Sequence, residues 1–191
     1  ATLISLKVPD RNGIVEEVTL GFDNISDYED HSPYFGSTIG RVGNRIKNGR
    51  FTLDGVEYAL DKNTGDVAQL HGGKKGFSKV IWKLSTVLEE SQGTVICKYL
   101  SKDGEEGYPG NLNVEVKYVL TDLNELIIDY RATTDKACPV NLTNHAYWNL
   151  CGNNRDSILN HNLQLKCNHY LPIDNDLIPT GELKSVENTP W

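Results

Sequence analysis

The stretch LNVEVKYVLTDLNELIIDYRA, residues 112–132, decides the fold class of this chain. Apolar residues occupy every second position from Leu112 to Leu120, and polar residues stand between most of them. This period of two predicts a strand with one buried face. Asp122 to Glu125 interrupts the alternation, which resumes between Leu126 and Ala132. The stretch therefore predicts two antiparallel strands joined by a turn.

Similar strand-like runs lie on both sides of this hairpin, each bounded by Gly, Asn, Asp or Pro; they cover residues 2–8, 15–22, 80–88 and 94–100. The dipeptide Asp54-Gly55 between two further short runs predicts a type I′ hairpin, because both turn positions need a positive φ. No segment carries a helical stripe of apolar residues. We therefore predict one all-β domain over residues 1–191, built as an antiparallel sandwich or a barrel-like sheet.

Composition narrows the class of partner. The chain of 191 residues carries a formal net charge of -7, which argues against nucleic acid or an anionic membrane surface as partner and favours a neutral small molecule. The four cysteines lie far apart without a CxxC pair, which favours reduced thiols in the cytoplasm. No apolar run approaches the roughly 18 residues of a membrane span.

The first segment that fits neither strand nor ordinary turn is GRVGNRIKNGR, residues 40–50. Its glycines permit a contorted backbone that presents Arg and Asn side chains. Asn offers donors and an acceptor and Arg offers a planar fork of donors, which together suit sugar hydroxyls. The alternative interpretation is a solvated basic loop.

The second segment is LHGGKKGF, residues 70–77, in which glycines after His71 would let a ligand approach the backbone closely. A loop histidine bonded to a neighbouring carbonyl is the simpler interpretation of this segment alone. The five histidines of the chain show no H-x-x-x-H pair, and the cysteines lack zinc-finger spacing. We therefore predict no metal site.

The third segment is VNLTNHAYWNL, residues 140–150, which is rich in polar and aromatic side chains although its apolar spacing resembles a strand. Polar groups in a mostly buried strand need partners, so we expect either a binding site or a structural polar network that closes the sandwich. Tyr147 and Trp148 add flat surfaces that suit the C–H face of a pyranose ring.

Four motifs in this order, GRVGNRI at 40–46, LHGGKKGF at 70–77, GYPG at 107–110 and NLTNHAYWNL at 141–150, resemble those of the aldose 1-epimerases, or galactose mutarotases. The stretches 171–181 and 189–191 are also similar to that family. The resemblance implies a large antiparallel β-sandwich of the galactose mutarotase type, without a cofactor. It also implies an isomerase that interconverts the α and β anomers of free hexoses such as galactose and glucose.

Residue by residue, the resemblance implies that His145 donates the proton to the ring oxygen and that His71 is a second catalytic histidine, which contacts the sugar. Asn44 and Arg45 match the substrate-binding pair, and Tyr147 matches an aromatic residue that lines the site. The family's general base is a glutamate that follows a sugar-binding aspartate, and neither has a counterpart in residues 1–191.

Because both ends of the chain lie inside family-like sequence, we expect a fragment or one part of a split polypeptide, with the remainder of the polypeptide as a partner. An incomplete sandwich should expose long apolar edges. The missing base leaves open a catalytically silent carbohydrate-binding sandwich. A third alternative is a mutarotase-like protein for hexose phosphates, for which Lys74 and Lys75 are the only basic candidates.

Overall fold

The computed structural model describes residues 1–152 and 157–190 of the chain, so Trp191 of the family-like stretch 189–191 lies outside the described residues. One helix, α1 (Ile25–Asp30), and three 3-10 turns (Phe77–Lys79, Glu105–Gly107 and Ile158–Asn160) accompany the strands. The strands are β1 (Lys7–Pro9), β2 (Val15–Glu17), β3 (Thr38–Ile39), β4 (Arg45–Lys47), β5 (Arg50–Leu53), β6 (Val56–Ala59), β7 (Ala68–Leu70), β8 (Lys83–Glu89), β9 (Gln92–Ser101), β10 (Leu112–Thr121), β11 (Leu126–Thr134), β12 (Thr143–Asn144), β13 (His169–Tyr170) and β14 (Lys184–Ser185).

The predicted hairpin of residues 112–132 is confirmed as β10 and β11, which pair antiparallel with Val116 opposite Tyr130. These strands belong to a four-stranded sheet in the order β11-β10-β9-β8. Within β10 the side chains of Leu112, Val114 and Val116 are buried, as the alternation predicts. The short β5–β6 hairpin is also confirmed, because Asp54 and Gly55 both have positive φ.

Other predicted strands are shorter than the sequence suggested. Of residues 2–8 and 15–22, only β1 and β2 are regular strands, and in 140–150 only β12 is. Residues 25–30 form a helix of six residues that the sequence pattern did not predict. Tertiary hydrogen bonds replace regular pairing in these segments, for example Leu20 N–H to the Tyr147 carbonyl at 2.9 Å, so periodicity alone overestimated their length.

The core forms where one face of the four-stranded sheet packs against the segment that follows His71. Phe77 and Trp82 lie on Cys97 of β9 and on Val114 and Val116 of β10. The Trp82 indole N–H donates to the Phe77 carbonyl at 3.1 Å, so the largest polar aromatic in this core is satisfied. This packing fixes the His71 segment against the sheet.

Two short ladders then position the candidate site. β12 pairs with β3, so that Asn144 lies opposite Thr38, and β4 pairs with β7, so that Arg45 lies opposite Leu70. The Tyr118 hydroxyl of β10 lies 3.0 Å from the Thr38 hydroxyl and links the β3–β12 ladder to the main sheet. As a result, residues 36–45, 70–76 and 143–147 converge.

Other parts of the fold are largely exposed to solvent. Every residue of β8, at one edge of the four-stranded sheet, is exposed, including Leu84 at 67% and Leu88 at 87%. Among residues 157–190, only Ile178 is buried. Within the described part of the chain, no helix is long and apolar enough to cross a membrane.

Candidate active site

His71 and His145, far apart in sequence, meet at one place in the fold. His71 directly follows β7 and His145 directly follows β12. Their ring centroids are 5.0 Å apart and the ring planes are nearly perpendicular, at 85°. Both side chains are half-buried. A charge on His145 at this distance disfavours a second charge on His71.

The backbone around His145 is held by hydrogen bonds from the segment before β3. His145 N–H donates to the Ser37 carbonyl at 2.9 Å, and Gly36 N–H donates to the His145 carbonyl at 3.1 Å. The Asn144 side chain adds three bonds: one to the Gly36 carbonyl and one from Ala146 N–H, each at 2.9 Å, and a longer one to the Tyr118 hydroxyl at 3.5 Å. The polar side chain of Asn144 is therefore a structural partner, and His145 is left free to face His71.

One ring nitrogen of His71 is already occupied. The backbone N–H of Asn44 donates to His71 Nδ1 at 3.0 Å, and the N–H of His71 donates back to the Asn44 carbonyl at 3.0 Å. A neutral imidazole that accepts at Nδ1 carries its proton at Nε2. Burial, followed by the charges of His145 and Arg45, lowers the pKa of His71 to about 4. His71 is therefore a neutral hydrogen-bond donor near neutral pH.

Two tyrosines contact the histidine pair. The ring of Tyr34 lies 4.8 Å from that of His71 and 5.6 Å from that of His145, between centroids. The ring of Tyr147 lies 5.2 Å from that of His145, and Phe35 supports it from the other side at 5.1 Å. Burial raises the pKa of Tyr34, and the charge of Arg45 partly offsets this rise. Tyr34 is thus a neutral aromatic wall beside both imidazoles.

Tyr34 is a residue that the sequence did not single out. It lies in a segment without strand periodicity, and its backbone φ is +70°, which is unusual for a residue with a Cβ. The local sequence offers one signal that this residue lies near the site, the aromatic pair Tyr34-Phe35 directly before Gly36. The contact with two histidines from distant segments was not predictable from that signal.

Asn44 and Arg45 lie beside the same pair. Arg45 Nη1 donates to Asn44 Oδ1 at 3.3 Å, and the register of β4 on β7 places them next to Leu70 and His71. The side chain of Asn44 is exposed and its φ is +58°. The structure therefore brings the five predicted site residues, His71, His145, Asn44, Arg45 and Tyr147, to one place. Their roles remain predictions.

Arg41 is not part of a solvated basic loop, although Lys47 and Arg50 of the same segment are exposed. Its side chain is 2% exposed and donates to the Ser101 hydroxyl, at 2.9 Å, and to four carbonyls, those of Ser101, Lys102, Pro109 and Gly110, at 2.9 to 3.2 Å. The guanidinium also lies 5.7 Å from the centre of the Tyr108 ring. A buried charge needs such dense pairing, so Arg41 joins the GRVGNRI and GYPG motifs structurally.

Among residues 1–152 and 157–190, no group of three or more His, Cys, Asp and Glu side chains is arranged to hold a metal ion. The chemistry that the described arrangement offers is hydrogen bonding and proton transfer. It combines two imidazoles, an amide, a guanidinium and aromatic faces, which suits a small polyhydroxylated ligand.

Known proteins are similar to this chain over its whole length. The galactose mutarotase of Bos taurus is 48% identical over 193 residues, covering 100% of this chain and 54% of that protein. The aldose 1-epimerase of Escherichia coli K12 is 45% identical over 191 residues, with the same shares covered. The chain thus spans about half the length of the curated relatives it matches.

Solved structures show the same fold. A crystal structure of an aldose epimerase homologue from C. elegans superposes with a TM-score of 0.89 at 36% identity, covering 99% of this chain and 56% of that chain. Galactose 1-epimerase from Lactobacillus acidophilus NCFM superposes with a TM-score of 0.85 at 28% identity, covering 99% and 54%. The predicted antiparallel all-β fold of the galactose mutarotase type is thereby confirmed.

The family model described as aldose 1-epimerase matches residues 1–191, the whole of the chain. All four motifs that carry the resemblance lie inside this match. The chain belongs to the aldose 1-epimerase family.

Proposed function

We propose that the protein is an aldose 1-epimerase that interconverts the α and β anomers of free hexoses, galactose and glucose among them. The observation that carries this proposal is the pair of imidazoles with ring centroids 5.0 Å apart, next to Asn44 and Arg45. One member of the pair is neutral near pH 7 and the other faces it. Such an arrangement can hold a sugar and move one proton.

The reaction needs two coupled proton transfers. An acid protonates the ring oxygen of the pyranose while a base takes the proton of the C1 hydroxyl; the bond between C1 and the ring oxygen breaks and C1 becomes an aldehyde. After rotation about the C1–C2 bond, both transfers run backwards and the ring closes on the other face. Atoms and charges balance without a cofactor.

The two histidines differ in what they can do. We assign the role of the acid to His145. The pKa of His71 is about 4, so His71 is not an imidazolium near neutral pH and is not the proton donor. His71 is assigned as a donor from Nε2 to an oxygen of the sugar, since Asn44 N–H occupies Nδ1. Arg45 and Asn44 would bind hydroxyls, and Tyr147, 40% exposed, would offer its ring to the C–H face of the sugar.

The base is assigned by the resemblance to a glutamate without a counterpart in residues 1–191. We therefore propose that the full product of the gene performs the reaction, with residues 1–191 supplying the acid and much of the sugar site. The single-domain organisation of residues 1–191 remains a prediction. Reduced cysteines support our proposal of a cytoplasmic enzyme, since all four thiols are free.

Polarimetry tests the proposed activity. Freshly dissolved α-galactose is mixed with the full gene product, and the decay of optical rotation is compared with the spontaneous rate. Acceleration that is proportional to protein concentration is expected. A decay that matches the spontaneous rate at micromolar protein would refute the activity.

A second candidate is a carbohydrate-binding protein without turnover, which the absence of a matching base within residues 1–191 favours. It predicts galactose binding by calorimetry together with an unchanged mutarotation rate. The two functions are separated by running both measurements on the same preparation.

A further inference from the structure

Glu106 lies outside the histidine pair, but its side chain reaches the loop that follows His71. It belongs to the 3-10 turn Glu105–Gly107, between β9 and β10. Its Oε2 accepts from Lys74 N–H at 3.1 Å and its Oε1 accepts from Lys75 N–H at 2.6 Å. Each oxygen of one carboxylate thus holds one backbone donor, a charge-assisted arrangement that is stronger than neutral hydrogen bonds.

The loop that Glu106 holds has an unusual backbone. His71, Gly72 and Gly73 all have positive φ, at +53°, +85° and +109°. A histidine in this region is strained and persists only where its surroundings enforce it. A Cβ at Gly73 would overlap the Glu106 carboxylate, so the glycine is what permits the carboxylate to approach. The loop conformation and the position of Glu106 therefore depend on each other.

The backbone of Glu106 is tied to the strand that carries His71. Gln69, in β7, donates from Nε2 to the Glu106 carbonyl at 3.2 Å and to the Asp61 carbonyl at 3.1 Å. The Tyr108 hydroxyl donates to Gln69 Oε1. The turn is thus fixed against β7, which comes directly before His71, while its carboxylate fixes the residues that come after it.

We propose that Glu106 is a positioning residue for His71: by binding the N–H groups of Lys74 and Lys75 it keeps the imidazole in the orientation in which Nδ1 accepts from Asn44 and Nε2 faces the site. Its effect on turnover rests on the proposed function, whereas its effect on the His71 ring does not. This assigns a role in the site to the EEGYPG segment, residues 105–110, through its contact with the His71 loop.

The test compares Glu106→Gln with Glu105→Gln in the intact protein. Both remove one negative charge from the same turn, but Glu105 bonds the Tyr99 and Ser101 hydroxyls, at 2.7 Å each, instead of the His71 loop. Nitrogen NMR of the histidine ring reports the tautomer of His71 and its titration. Polarimetry reports turnover separately, and a thermal melt reports folding.

We expect the wild type and Glu105→Gln to show one Nε2–H tautomer for His71, with a pKa of about 4. In Glu106→Gln one N–H of the loop loses its acceptor, so His71 should populate both tautomers and its pKa should rise toward 6.5. The catalytic efficiency kcat/KM should fall about tenfold, as expected for one lost charge-assisted hydrogen bond. Gly73→Ala, which displaces the same carboxylate, should reproduce the NMR change.

An unchanged His71 tautomer and titration in Glu106→Gln would overturn the proposal, even if the melting temperature fell. So would an equal change in Glu105→Gln, because the effect would then not be specific to the loop contact. If Glu106→Gln does not fold, the same measurements are made on Glu106→Asp. That variant keeps the negative charge, but its side chain is one methylene shorter and reaches less far toward Lys74 and Lys75. If the protein has no epimerase activity, the NMR comparison still decides the role of Glu106.

Discussion

The two histidines of the site are held in different ways. His145 leaves a short strand whose backbone pairs with residues 36–39, and one side chain, that of Asn144, completes the support. His71 leaves its strand into a loop with three successive positive φ values, which side chains from other segments hold in place. Asn63 contacts the backbone on both sides of His71, at Leu70 and at Gly73, and Glu106 contacts it after Gly73.

From this difference we infer that the two imidazoles differ in how well their positions tolerate substitutions nearby. A ladder distributes its support over many backbone bonds, which most substitutions leave intact. The His71 loop has backbone bonds too, such as His71 N–H to the Asn44 carbonyl, but it adds bonds from specific side chains, each of which can be removed by one substitution. We therefore expect the His71 loop to be the more fragile half of the site.

The largest expected effect separates the two histidines by function. His145→Asn should lower kcat for anomer interconversion by about 10²- to 10⁴-fold, because it removes the proposed proton donor. His71→Asn should lower kcat/KM by about tenfold, since it removes a neutral hydrogen-bond donor. Polarimetry at several galactose concentrations measures both. Equal losses in the two variants would contradict the assignment of the acid to His145.

The next prediction compares the side chains that support the backbone on either side of the site, Asn63 beside His71 and Asn144 beside His145. Asn63 makes three bonds around His71, two with the backbone of Leu70 at the end of β7 and one with the Gly73 carbonyl of the loop. Asn63→Ala should lower the free energy of unfolding by about 2–3 kcal/mol. Asn144→Ala, the matched change on the other side, should cost about 1–2 kcal/mol. Urea unfolding of both variants tests this order, and a costlier Asn144→Ala would reverse the comparison.

A smaller effect follows from the protonation of His71. Its pKa in the fold, about 4, lies below its ordinary value of 6.5, so the unfolded chain binds a proton between these two pH values while the folded chain does not. The stability that His71 contributes is therefore complete above pH 6.5 and declines as the pH falls toward 4. Urea unfolding across this range should show a shallower pH dependence for His71→Asn than for the wild type. Parallel profiles would show that His71 titrates normally in the fold.

The smallest effect concerns the ring of Tyr34, which contacts both His71 and His145. Tyr34→Leu removes two ring contacts, those with His71 and His145, and should lower the free energy of unfolding by about 1 kcal/mol. Tyr34→Phe keeps both ring contacts and serves as the control, with a change below about 0.5 kcal/mol. If Tyr34→Phe were as destabilising as Tyr34→Leu, the hydroxyl would matter more than the ring.

Local patterns predicted the regular parts of the fold well. The hairpin of residues 112–132 and the turn at Asp54-Gly55 follow from alternation and from backbone sterics, which act between neighbours in the chain. The first segments of the chain were predicted less well, because Leu20 and its neighbours bond to residues beyond 140 instead of to adjacent strands. Periodicity does not report such partners.

Some features of the candidate site were likewise predictable from the sequence, and others were not. The ordered motifs sufficed to name His71, His145, Asn44, Arg45 and Tyr147, and the structure brings these residues together. Neither the burial of Arg41 nor the contact of Tyr34 with both imidazoles was predictable, since each depends on segments tens of residues away.

By itself, then, the sequence determined an all-β chain of the aldose 1-epimerase family and predicted which residues would form its site. The tertiary structure alone decided which nitrogen of His71 is free, because Asn44 N–H reaches Nδ1 only when β4 pairs with β7. It also decided that the Glu106 carboxylate binds the backbone of Lys74 and Lys75 in the loop after His71. The physical reason is that protonation and orientation depend on what surrounds a side chain, and those surroundings come from distant parts of the chain.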